Sequence, residues 1–201
     1  MKLRYSPASP FVRKVMIVAL ETGLAGRIEK LPTTVVPVKL NDDVKAENPL
    51  VKIPALVTDE GETLYDSPVI CEYLDTLHAG SKIFPPPGPA RWTALRRQAL
   101  GDGILDAAIL RRYETAVRPQ ALQWADWIEG QMRKVRGGLD ALERETLDGP
   151  FDIGRITIAC ALGYLDFRYP DEGWRGSRPR LAAWFAGVSQ RPSMQETMPQ
   201  G

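Results

Sequence analysis

The chain has 201 residues, 44% of them hydrophobic and 25% charged, and its 26 basic and 25 acidic side chains leave a formal net charge of +1 with the single histidine neutral. That size and balance describe a globular protein of one large or two small domains. The near-zero charge excludes a broad electrostatic field for nucleic acid or an anionic membrane surface. The longest apolar run near the start is 15–20, far short of a membrane span, and Pro7 and Pro10 interrupt any signal-like segment, so the chain reads as cytoplasmic.

Residues 2–5 form a candidate strand. "SPASPFVRKV" follows at 6–15, and Val12, Val15, Met16, Ala19 and Leu20 then recur at helical spacing until Gly23. Residues 29–36 are strand-like, 41–49 are polar and loop-like, and 55–58 form a second compact apolar run just after Pro54. "DEGE" at 59–62 is a hairpin turn into a strand at 63–65. Residues 67–77 are helical, with Ser67 as the cap and Pro68 at the first helical position. This β-α-β, hairpin, α order needs a parallel crossover and an antiparallel hairpin, and so predicts a mixed four-stranded sheet.

"FPPPGP" at 84–89 is a stiff connector, beyond which strand signals vanish. Residues 91–118, 123–146, 154–167 and 178–189 carry helix-like patterning. The expected organisation is an α/β domain over 1–79, a Pro-rich linker over 80–89 and an all-helical domain over 90–201. Cys71 and Cys160 lie far apart inside apolar helical patterns, which suits reduced core thiols. With His78 alone and no cysteine cluster, no common metal-ligand spacing is present, and His78 reads as a C-terminal helix cap.

"SPFVRKV" at 9–15, "NPLVKIPAL" at 48–56 and "DSPVICEYL" at 66–74, in that order and followed by a helical half, resemble the glutathione S-transferase superfamily over the whole chain. "IACALGYLDFR" at 158–168 is similar to a small bacterial serine-type branch with poorly defined substrates. The resemblance implies a thioredoxin-like first domain, glutathione as co-substrate without a metal, and a homodimer with no nucleic acid or membrane partner.

Glutathione offers a γ-glutamyl ammonium and carboxylate, a thiol, and a glycine carboxylate, and the resemblance implies a residue for each. Ser67 and its amide would take the γ-glutamyl carboxylate at a helix start, and Asp66 would face the ammonium. On spacing alone these two read as capping residues. Pro54 would be cis, leaving the backbone of Ile53 to pair with the peptide as an added strand; the bland alternative is a loop proline. Lys52 would neutralise the glycine carboxylate, with Lys39 a weaker candidate; either is otherwise a solvated surface charge. Asp102 shares a helix face with Leu95, Ala99, Asp106, Ile109 and Tyr113, and would reach the ammonium across a dimer interface or else simply face solvent.

Ser9, at the start of the first helix, would donate to the thiolate. Serine rather than cysteine there disfavours mixed-disulfide chemistry. The electrophile pocket is expected between the domains, with Phe11, Arg111, Arg112, Tyr113 and Tyr164 as candidate walls that are otherwise structural. Asp152 would cap the helix opened by "FDIGRITIACAL", but Arg155 cannot return the reciprocal hydrogen bond that an acidic residue would accept. The function implied is thiol activation for attack on small hydrophobic electrophiles in detoxification. A non-catalytic transferase-like interaction module and a glutathione-dependent isomerase or dehalogenase are the alternatives.

Overall fold

Apolar spacing of three and four along residues 10–21 drives one helix into the core of the first unit: Val12, Val15, Met16 and Ala19 are all buried. The computed structural model describes every residue, Met1–Gly201. Its strands are β1 (Lys2–Tyr5), β2 (Glu29–Pro32), β3 (Leu56–Val57) and β4 (Thr63–Leu64). Its helices are α1 (Pro10–Glu21), α2 (Asp42–Glu47), α3 (Ser67–Thr76), α4 (Pro89–Ala116), α5 (Ala125–Glu143), α6 (Ile153–Arg168), α7 (Pro179–Val188) and α8 (Pro192–Glu196).

The sheet order is β2-β1-β3-β4, with β1 parallel to β2 and antiparallel to β3, and β3 antiparallel to β4. The mixed four-stranded sheet expected from the connections is therefore present, and the fold is a thioredoxin-like domain followed by helices. Leu3 and Leu56 on the sheet, Val12 and Val15 of α1, and Ile70, Cys71 and Leu74 of α3 are all fully buried, and α1 lies against α3. Burying side chains of this size contributes about 1.5–3 kcal/mol each.

Three sequence expectations shift. The second strand stops at Pro32 rather than running to 36, because its partner β1 ends at Tyr5: the Thr33 N–H still donates to the Tyr5 carbonyl at 2.7 Å, and no β1 residue follows to pair with the rest. Residues 42–47 are helical rather than loop: Asn41 Oδ1 accepts the Val44 N–H at 3.1 Å, and Asp42 and Asp43 favour the first turn. Helix α3 begins one residue early, with Asp66 at the N-cap and Ser67 already helical.

The chain forms two compact units, Met1–Trp92 with Pro192–Gly201, and Thr93–Arg191. Residues 192–201 thus join the sheet-bearing unit, although the expectation assigned them to the helical half. Arg13 holds them there, donating from Nη2 to the Met194 carbonyl at 3.0 Å and from Nε to Thr197 Oγ1 at 3.3 Å. In the second unit α6 is central and buried from Ile153 to Leu165, with α4, α5 and α7 contributing residues such as Leu105, Leu139 and Phe185. No helix is long and apolar enough to cross a membrane.

Candidate functional site

Pro10 opens α1, and its fixed φ leaves Ser9 extended at the N-cap, with φ −85° and ψ 119°. The half-buried Ser9 hydroxyl accepts the Val12 N–H at 3.3 Å, so its own hydrogen remains to be donated. Ser6 is separate in role: its carbonyl accepts the Ser9 N–H at 3.1 Å and closes the turn before the helix.

The "NPLVKIP" segment is shaped from within by Asn48, which is 2% exposed. Its Oδ1 accepts from the Leu50 N–H at 3.0 Å and its Nδ2 donates to the Lys52 carbonyl at 2.9 Å. Between them Val51 is held at φ 53°, in the left-handed region that a β-branched residue rarely enters. The Ile53–Pro54 bond is cis. The N–H and C=O of Ile53 join none of the chain's backbone pairings, whereas the Ala55 carbonyl two residues on accepts the Arg4 N–H at 2.9 Å. Lys52 is exposed.

Hairpin β3–β4 then delivers the chain to α3. Asp66 is exposed at the N-cap and its carboxylate makes no cap hydrogen bond, while Ser67 is 1% exposed. Since Pro68 has no N–H, the first turn presents the amides of Ser67 and Val69 without intrahelical acceptors. A carboxylate is the natural occupant of such a helix start. The far end of α3 is structural. Asp75 accepts the N–H groups of Ile83 at 2.8 Å and Phe84 at 3.1 Å and faces His78 Nε2 at 3.0 Å, and His78 Nδ1 accepts the Gly80 N–H at 3.1 Å. No group of three or more His, Cys, Asp and Glu side chains gathers as a metal site would need.

The first unit thus carries Ser9, Lys52, Ile53, Pro54, Asp66 and Ser67 on its loop and helix-start segments. Asp102 belongs to the second unit, on α4. The buried side of α4 is Ala94, Arg97, Gln98, Gly101, Ile104, Leu105 and Ala108, while Asp102 is half-buried and Asp106 exposed. The carboxylates therefore do not interrupt the buried stripe. Asn48 was missed by sequence reasoning; its signal is its place at the C-terminal end of α2, before the first residue of a turn that reverses the chain.

Arg111, Arg112, Tyr113 and Tyr164 gather in the second unit with Arg168 and Tyr169, while Phe11 is on α1. The Arg111 guanidinium lies 4.3 Å from the centroid of the Tyr169 ring, whose hydroxyl donates to the Ala108 carbonyl at 2.6 Å. Burial pushes the Tyr164 hydroxyl up to about 12. Burial, with Arg112 nearby, lowers the pKa of Arg168.

Comparison with known proteins is consistent along the chain. A family model described as glutathione S-transferase, N-terminal domain, matches residues 8–77, and one described as glutathione S-transferase, C-terminal domain, matches 125–187. The uncharacterized GST-like protein YibF of Escherichia coli (strain K12) is 38% identical over 99% of this chain and 98% of its own length. A glutathione transferase family member from Pseudomonas fluorescens Pf-5, crystallised with bound glutathione, is 48% identical, covers 100% of this chain and 99% of its own, and superposes with a TM-score of 0.97. Its counterpart with bound S-(propanoic acid)-glutathione is 48% identical, covers 100% of both chains and superposes with a TM-score of 0.93.

Proposed function

Because the chain belongs to the glutathione S-transferase superfamily, we propose that it binds glutathione in its sheet-bearing unit and delivers the tripeptide's sulfur to small electrophiles. The observation that carries this is Ser9: a hydroxyl at a helix N-cap whose hydrogen is not used by the cap.

The thiol is the reacting group. At a pKa near ~8.5 only a few per cent is thiolate at neutral pH, and lowering that by about two units needs roughly 2.7 kcal/mol of preference for the anion. A hydrogen bond to a charged group contributes about 1.5–3 kcal/mol, and a helix N-terminus adds roughly 0.3–1. The Ser9 hydroxyl and the start of α1 are together sufficient.

The remaining contacts hold the peptide. Ile53 offers its N–H and C=O as an edge for the central residue, and the Ser67 amide and hydroxyl receive the γ-glutamyl carboxylate. Asp66 meets the ammonium, and Lys52 the glycine carboxylate. Asp102 acts on the ammonium from the other protomer of a homodimer. In the displacement reaction a carbon–sulfur bond forms as the carbon–halogen bond breaks, the halide leaves with the bonding pair, and the thiol proton passes to solvent. The Pseudomonas relative with a glutathione thioether bound supports a product of this kind.

Isothermal titration with glutathione is expected to give one site per chain, and turnover of a chlorinated aromatic with glutathione measures the reaction. Binding without any turnover would favour a non-catalytic module.

A further inference from the structure

Resting on the glutathione reading above, we infer that Asn48 is a positioning residue for the tripeptide: it holds Val51 in the left-handed region and so fixes where Lys52 and Ile53 meet the ligand.

The polar groups of Asn48 are all engaged by the chain around it. Its N–H donates to the Val44 carbonyl at 2.7 Å and ends α2, and its carbonyl accepts the Val51 N–H at 2.9 Å. The buried side chain then accepts the Leu50 N–H on Oδ1 and donates from Nδ2 to the Lys52 carbonyl. The turn over 48–52 is thus closed from inside, with Val51 at φ 53°. For a β-branched residue that conformation is costly, and it persists only where its surroundings over-determine it. Asn48 supplies that constraint.

Arg4 closes the frame from the sheet side. Its N–H donates to the Ala55 carbonyl at 2.9 Å, and its guanidinium grips Glu47, the residue before Asn48, from Nε at 2.9 Å and Nη2 at 2.7 Å. The segment 52–55 therefore hangs between two fixed points, the Lys52 carbonyl and the Ala55 carbonyl. Between them the Ile53 N–H and C=O are left to a ligand, and the exposed Lys52 side chain departs from the same stretch. An edge held in register before the peptide arrives loses less freedom on binding, so the strain kept at Val51 is the counterpart of tighter glutathione binding.

The test is calorimetric titration of glutathione, and of its ester at the glycine carboxylate, into the wild-type chain, Asn48→Ala, Val51→Gly and the double variant. Without its brace Val51 leaves the left-handed region, so Asn48→Ala is expected to weaken glutathione binding at least about tenfold. The ester should lose less, because it lacks the carboxylate that Lys52 meets. Glycine adopts the left-handed region at no steric cost, so in the Val51→Gly background the same Asn48→Ala change should cost no more than about threefold. Asn48→Ser, which keeps an acceptor for the Leu50 N–H, takes the place of Asn48→Ala should that variant not fold. Losses equal in the two backgrounds, or equal for glutathione and its ester, overturn the positioning role and leave the glutathione reading standing. Failure of glutathione to bind the wild type overturns both.

Discussion

Ser9 carries two duties that mutation separates. Ser9→Ala removes the acceptor of the Val12 N–H and the donor to the thiolate together. The first loss is expected to cost about 1 kcal/mol of stability, read by chemical denaturation. The second should lower kcat/KM for conjugation by about 10–100-fold, the equivalent of one charge-assisted hydrogen bond, while glutathione affinity changes little. Full turnover in Ser9→Ala would remove the hydroxyl from the reaction. Tyr164 gives a different kind of test. Its folded pKa of about 12 lies above the ordinary value of 10, chiefly through burial, so the folded state resists its ionisation. The associated stability is whole below pH 10 and is lost as pH rises from 10 through 12, and alkaline denaturation should steepen in that window. The helix starts at Ser9 and Ser67 and the turn at 52–54 are readable in the sequence because punctuation residues mark them, Ser-Pro at two helix starts and a proline before a strand, whereas their roles toward glutathione come only from the family resemblance. Asn48 is not readable, because bracing a loop from beneath leaves no periodicity. Asn48→Ala should destabilise by about 1–3 kcal/mol, since it strands the Leu50 N–H and the Lys52 carbonyl.

Among the elements, helices with repeating apolar faces were readable and α2 was not. Its sole buried residue is Val44, so six residues hold no repeat to detect; only Asn41 followed by two aspartates signalled it. The start of α6 shows a different compensation. Asp152 caps it, accepting the Arg155 N–H at 3.0 Å, and Arg155, unable to act as an acceptor, pairs with the Asp152 carboxylate and donates to the carbonyls of Leu147 and Asp148. The box is replaced by a clamp on the preceding loop. The α4–α6 seam depends on glycine for a stated reason: a side chain at Gly154 would strike the Ala94 carbonyl, which is backbone and cannot swing aside. Gly154→Val is expected to cost at least about 1–3 kcal/mol by overpacking. Thermal melting would register it, and an unchanged melt would show that the seam opens more easily than its geometry implies.

At the scale of the whole molecule the near-neutral charge leaves recognition to local clusters. The glutathione reading asks for charges of both signs on the sheet-bearing unit. A homodimer is the expected assembly, and light scattering should return about twice the chain's 22.3 kDa. Asp102→Asn should then weaken glutathione binding several-fold without dissociating the dimer, and a shift to monomer would assign Asp102 to the interface instead.

The return of residues 192–201 to the first unit has a consequence in time. Met194 and Thr197 supply the oxygens for Arg13, and Ser193 donates to Glu21 at 2.5 Å, so α1 packs on residues made after the entire helical unit. During synthesis on the ribosome, the sheet-bearing unit must wait with that flank of α1 uncovered until residues 192–201 clear the exit tunnel.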